Sequence, residues 1–141
     1  MDFVELGHEY SMGVPELDKQ HKELVRQLNE AIKHCTGKKA DEKKFYDKNT
    51  RNSIDFLKNH FETEERLLSA TKYDLLSKHK SAHKEMLKKL KKMNDDIEKN
   101  RVELDLFHVT AFIKEMVMKH IKTFDLGTKS FFDVYEKGAA R

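Results

Sequence analysis

The chain has 141 residues, 38% of them charged, with one proline, five glycines and no tryptophan. That length predicts a single domain able to bury a real core, and so few turn-forming residues exclude a sheet protein with many reversals. A net charge of +3 does not by itself point to nucleic acid, the one cysteine, Cys35, excludes an internal disulfide, and no apolar run approaches the ~20 residues that span a bilayer.

The opening residues, Met1 to Glu5, lack a basic segment followed by an apolar run, so no secretory signal is expected. With a single thiol, the chain reads as soluble and cytoplasmic. Residues 1–16 contain Gly7, Gly13 and Pro15 without a helical period, which predicts an extended arm. A first helix is expected from Asp18, acting as N-cap, to Thr36, with Gly37 as the stop. Leu17, His21, Leu24, Val25, Leu28, Ile32 and Cys35 share one stripe at about 100° per residue, so His21 faces inward. His34 lies about 140° away and should be solvated.

Asp41 can cap a second helix that reaches Ser69, with Phe45, Phe56, Leu57, His60, Glu64 and Leu67 on its inner face. Glu62 and Glu65 project off that face and are expected in solvent. A third helix is expected from Tyr73 or Asp74 to Lys99, its stripe holding Leu75, His79, His83, Met86, Leu90, Met93 and Ile97. Lys78, Lys80, Lys84, Lys88, Lys89, Lys91 and Lys92 form its outer face, a solvated one rather than a nucleic-acid surface, since no aromatics are interleaved.

Asn100-Arg101-Val102-Glu103 has the composition of a capping box for a fourth helix. Val102, Leu106, Val109, Ile113, Met116, His120 and Phe124 would line its inner face, with His108 outside. Gly127 should end that helix, and Ser130 to Glu136 could add a short C-terminal one. Four amphipathic helices with short connections predict an all-α, antiparallel up-down-up-down bundle. The whole of 1–141 then forms one domain, with arm 1–16, bundle 17–126 and tail 127–141.

His60-x3-Glu64 and His79-x3-His83 each set two metal-binding side chains on one helical face. With His21 and His120, five imidazoles lie on apolar stripes, whereas His8, His34 and His108 do not. Burying five imidazoles and a carboxylate costs several kcal/mol unless each polar atom finds a partner, which metal ions would supply together. The set exceeds the roughly four ligands of one zinc ion, so two ions with bridging carboxylates are expected. Glu64 can bridge. Asp125, five residues after His120, is a second candidate, but on a regular helix it lies about 140° from His120 and needs a local distortion.

Asp18-Lys19-Gln20-His21, His60-Phe61-Glu62-Thr63-Glu64-Glu65, His79-x3-His83 and His120-Ile121-Lys122-Thr123-Phe124-Asp125 together resemble the hemerythrin family, most closely its bacterial branch. The likeness covers roughly residues 10 to 126. It implies a four-helix bundle with two iron ions, bridged by an oxo or hydroxo group, that binds O2 reversibly without being an enzyme. By this resemblance His79, His83 and His120 hold one iron, His21 and His60 the other, and Glu64 and Asp125 bridge them. Phe61, Phe112 and Met116 are candidates for the apolar O2 pocket. The family's bacterial members usually carry a Trp near the start and another before the last histidine. This chain has neither, and Met116-Val117 stands in the second place.

Other classes fit less well. Ferritin-like di-iron enzymes need Glu-x-x-His on two core helices, and the one such spacing here, Glu5 to His8, falls in the arm. No His-Glu-x-x-His of a zinc hydrolase occurs. An O2 or redox sensor, or an iron- or NO-handling protein using the same centre, is the alternative role.

Overall fold

The computed structural model describes residues 1–71, 74–125, 127–129 and 132. Four helices make the fold: α1 (Pro15–Lys33), α2 (Lys39–Ser69), α3 (Leu76–Glu98) and α4 (Leu106–His120). A 3-10 turn (His8–Tyr10) precedes them, and a π-helical segment (Ile121–Asp125) continues α4 without a break. Helix α2 packs against α1 and α3, and α4 against α1, so the four form a four-helix bundle with antiparallel neighbours. No helix among the described residues is long and apolar enough to cross a membrane.

Several boundaries depart from expectation, each for a local reason. Helix α1 begins at Pro15 itself, whose fixed φ and missing N–H suit the first helical position. Asp18 is therefore inside the helix and does not cap it. Its carboxylate instead accepts from the Met12 amide at 2.7 Å and from Ser11 Oγ at 2.9 Å, which ties the arm down. Helix α1 stops at Lys33, three residues early, and Gly37 turns the chain in the left-handed region (φ 81°). Helix α2 starts at Lys39 and Asp41 does not cap it; Glu42 accepts from the Gly37 amide at 2.8 Å.

Asn100 ends α3 rather than opening α4. It adopts φ 55°, its amide donates to Ile97 O at 3.1 Å, and the Arg101 amide donates to Asp96 O at 2.8 Å. That is the two-bond pattern of a Schellman motif, and it overrides the capping-box composition. The actual cap of α4 is Asp105, whose carboxylate accepts from the His108 amide. Val102 is consequently outside any helix and 50% exposed, and Leu75, one residue before α3, is 51% exposed. Gly127, expected to end α4, is itself helical, as are residues 128 and 129. Of the Ser130 to Glu136 helix, residue 132 alone is described and is helical.

The core falls into three layers along the bundle. Met12, Leu17, Leu68 and Phe132 close one end. Leu24, Leu28, Leu57, Phe61, Met86, Leu90, Val117 and Ile121 fill the middle, and Tyr46, Leu106 and Val109 the far end. Between the middle and far layers lies a cavity of about 230 Å³ reached by Leu28, Leu57, Leu90 and Val117. Antiparallel packing brings together the start of α1, the end of α2, the start of α3 and the π segment, and so gathers His21, His60, His79, His83 and His120 in one slice.

Candidate metal centre

Each helix contributes to that slice through its buried stripe. Helix α1 supplies His21, α2 supplies His60 and Glu64 one turn apart, α3 supplies His79 and His83 one turn apart, and α4 supplies His120. Asp125 joins them because the backbone over Ile121–Asp125 is π-helical. The wider i→i+5 turn brings a residue five positions on back toward the side of His120, which a regular helix would not do. The segment is held by Thr128, whose hydroxyl donates to Asp125 O at 2.7 Å.

All seven side chains are buried, none more than 4% exposed. They form two overlapping sets: Glu64, His79, His83, His120 and Asp125 in one, His21, His60, Glu64 and Asp125 in the other, with donor atoms in each set within 4.8 Å of one another. The carboxylates belong to both. Every imidazole presents Nε2: His21 to Asp125 Oδ2 at 3.0 Å, His60 to Glu64 Oε2 at 2.8 Å, His79 to Glu64 Oε1 at 2.8 Å, and His120 to Asp125 Oδ1 at 3.0 Å. The Nε2 atoms of His83 and His120 lie 2.9 Å apart.

These contacts fit metal ions better than hydrogen bonds. Two donors each about 2.1 Å from one ion at right angles are about 3 Å apart, the spacing seen here. His60 Nε2 and Glu64 Oε2 are that close, yet neither has an aligned hydrogen bond among the described residues. An ion between such atoms would satisfy them all.

Sequence reasoning missed the partners behind the ring. His60 Nδ1 lies 2.7 Å from Gln20 Oε1, and His83 Nδ1 lies 3.0 Å from Glu65 Oε2. Glu65, expected in solvent, is only 25% exposed at its side chain and serves this contact. Glu62 is exposed, as are His8, His34 and His108.

Of the three pocket candidates, Phe61 is buried and stacks on His83 with ring centres 4.0 Å apart and planes 8° from parallel. Met116 is partly buried against the same apolar layer. Phe112 does not belong to the pocket, since it is 41% exposed. Eight residues before His120, it has drifted about 80° off the stripe, and Val117 and Ile113 hold the inner positions instead. A separate pocket of about 270 Å³ lies between the arm and α1, bounded by Leu6, His8, Tyr10, Asp18, Lys22 and His21. It abuts the His21 side of the centre.

Electrostatics of the metal-stripped protein follow from the same packing. Burial works against charge on both Glu64 and His120. The neighbouring Asp125, His120, His60 and His79 groups nevertheless hold Glu64 well below the usual carboxylate range. Hydrogen bonds and charge from Asp125 and Glu64 raise His120 from 6.5 to about 9. A histidine raised on folding stabilises fully below its unfolded pKa and ceases to as pH rises through its folded one. Metal-stripped protein should therefore lose roughly 2–3 kcal/mol between pH 6.5 and 9. Glu64 contributes in the opposite direction, its share present above the unfolded carboxylate pKa and lost in acid. Urea melts across that range, compared with the metal-loaded form, check this: loaded protein, its His120 already neutral and ligated, should show little loss.

Comparison with known proteins agrees with the geometry. The hemerythrin HHE cation binding domain family matches residues 12–126. Myohemerythrin-1 of Phascolopsis gouldii is 30% identical over 81 residues, 57% of this chain and 61% of that protein's length. Among solved structures, a hemerythrin with a leucine-to-tyrosine mutation and a leucine-to-phenylalanine mutant each superpose with a TM-score of 0.78. Each is 21% identical and covers 94% of this chain and 98% of its own, a likeness of fold.

Proposed function

Because the chain belongs to the hemerythrin family of HHE cation-binding domains, we propose that it binds O2 reversibly at a non-haem di-iron centre, for carriage, storage or delivery, and is not an enzyme. The observation that carries this reading is the pair of overlapping donor sets sharing Glu64 and Asp125. His79, His83 and His120 would hold one iron and His21 and His60 the other, with both carboxylates bridging. Imidazole and carboxylate donors suit iron among the first-row metals. When bound, the pair of ferrous ions supplies the electrons that O2 needs for reversible binding.

The chain's own residues do the rest. The side with two histidines has fewer protein donors and so leaves room for a small ligand. His21 also lines the pocket between the arm and α1. Phe61, Val117 and Ile121 cover the inner side with apolar surface and keep bulk water from the ligands. A cytoplasmic setting fits the single thiol, Cys35.

The test is optical. Metal-stripped protein loaded anaerobically with two equivalents of ferrous iron should gain a visible band on aeration that bleaches under argon through repeated cycles. Absence of any band, with fewer than two irons per chain, would end the proposal. A band that appears once and never bleaches would instead favour sensing. His21→Ala and His60→Ala should abolish the response, while His34→Ala and His108→Ala should leave it unchanged.

A further inference from the structure

Since all five inward nitrogens are Nε2, each Nδ1 depends on what the bundle sets behind it, and those partners differ. His83 Nδ1 faces the Glu65 carboxylate at 3.0 Å. His60 Nδ1 faces a neutral amide, Gln20 Oε1 at 2.7 Å, itself steadied by Gln20 Nε2 donating to Thr63 Oγ1 at 3.3 Å. His21 Nδ1 is buried with no hydrogen-bond partner among the described residues. One metal position thus has an anion behind one of its histidines, His83, and the other has a neutral amide behind His60 and, among the described residues, no hydrogen-bond partner behind His21.

We propose that this unequal backing makes the two positions unequal in affinity: the His79–His83–His120 position fills first, the His21–His60 position second, and Glu65 and Gln20 are the positioning residues that set the gap. The inference rests on the dinuclear reading of the seven side chains, not on O2 binding.

The physical reason lies in the tautomer. A neutral imidazole that ligates through Nε2 carries its proton on Nδ1, which must then donate. An ionised acceptor makes that hydrogen bond about twice as strong as a neutral one. Glu65 thereby draws on the Nδ1 proton of His83, raises the basicity of Nε2 and places a negative charge behind the ring. Gln20 fixes the tautomer and orientation of His60 but adds no charge. His21, whose Nδ1 has no hydrogen-bond partner among the described residues, is held in neither tautomer by them and must be ordered when the ion arrives. The donor sets point the same way, with three imidazoles against two and the carboxylates shared.

The experiment is a zinc titration of the metal-stripped chain against a chromogenic chelator, with zinc content by mass and folding by circular dichroism. Wild type should bind two zinc ions in two resolved steps. Glu65→Gln keeps the side-chain shape and removes the charge; it should weaken the first step about tenfold or more and leave the second unchanged. Gln20→Leu should weaken the second step alone. Gln20→Glu should strengthen the second step about tenfold and draw the two together, a gain that a purely structural role for residue 20 would not give. Two equal steps in wild type, or steps indifferent to Glu65→Gln and Gln20→Glu in folded protein, would overturn the proposal. Binding of one zinc or none would remove its dinuclear premise. Resolved zinc steps in a protein that shows no reversible O2 band would leave this inference standing and sink the oxygen reading.

Discussion

Glu64→Gln should cut the metal content from two ions per chain to one or none, while Glu62→Gln, two residues away, should leave it at two. Glu64 is fully buried and faces both donor sets, Oε2 toward His60 at 2.8 Å and Oε1 toward His79 at 2.8 Å. An amide has one acceptor oxygen, so it can serve one ion but not bridge two. Its NH2 group would also point a donor at an imidazole or an ion. Glu62 is exposed and touches neither set. The stability effect follows by mass action, since ions that bind only the folded chain stabilise it. With free metal at a hundred times each dissociation constant, one ion contributes about 2.7 kcal/mol and two about twice that. Loaded Glu64→Gln should melt well below loaded wild type, and the gap should narrow once both are stripped. Two ions per chain by mass analysis, with an unshifted melt, would show that Glu64 is not a bridge.

Five of the seven residues in that centre could be found from sequence because histidine on an apolar stripe is an anomaly of burial, and periodicity measures burial. Glu64 was legible for the same reason, one turn after His60. Asp125 was not, because its position depends on a π-helical stretch (Ile121–Asp125) that a uniform rise per residue cannot express. Resemblance to a known family supplied it instead. Glu65 and Gln20 escaped for a different reason. Each lies off the stripe of its own helix and is drawn in by a histidine on a neighbouring one, and a single-helix projection carries no information about that neighbour. Phe112 failed through accumulated phase, since two steps of four residues drift about 80° where seven residues drift about 20°. Helix ends are ambiguous in sequence where two local signals compete. Pro15 could stop or start a helix, and Asn100 could open α4 or close α3. In both cases backbone geometry, not composition, decided. The fold is legible despite these ambiguous ends because it depends on the stripes, which span many residues, and not on any one cap.

Phe61→Ala should be the most destabilising single change outside the donor residues, with a loss of about 3–5 kcal/mol. Phe61 is 1% exposed, belongs to the middle apolar layer and lies flat against His83 at 4.0 Å, with its edge toward His120 at 5.3 Å. Truncation removes that layer's largest side chain. The void would open beside Leu57, Leu90 and Val117, which already line the cavity of about 230 Å³, so the two spaces would merge and little collapse could refill them. The same change tests whether Phe61 is more than core. Water entering the enlarged space would reach the faces of His83 and His120, and the reversible O2 response should decay over far fewer aeration cycles. Phe61→Leu separates the two roles. It retains most of the apolar volume, should cost about 1–2 kcal/mol, and loses the flat stack on His83. If Phe61→Leu cycles as durably as wild type while Phe61→Ala does not, bulk alone protects the centre. If both fade quickly in urea-stable protein, the aromatic face over His83 is what keeps solvent out. Undiminished cycling in both variants would confine Phe61 to packing.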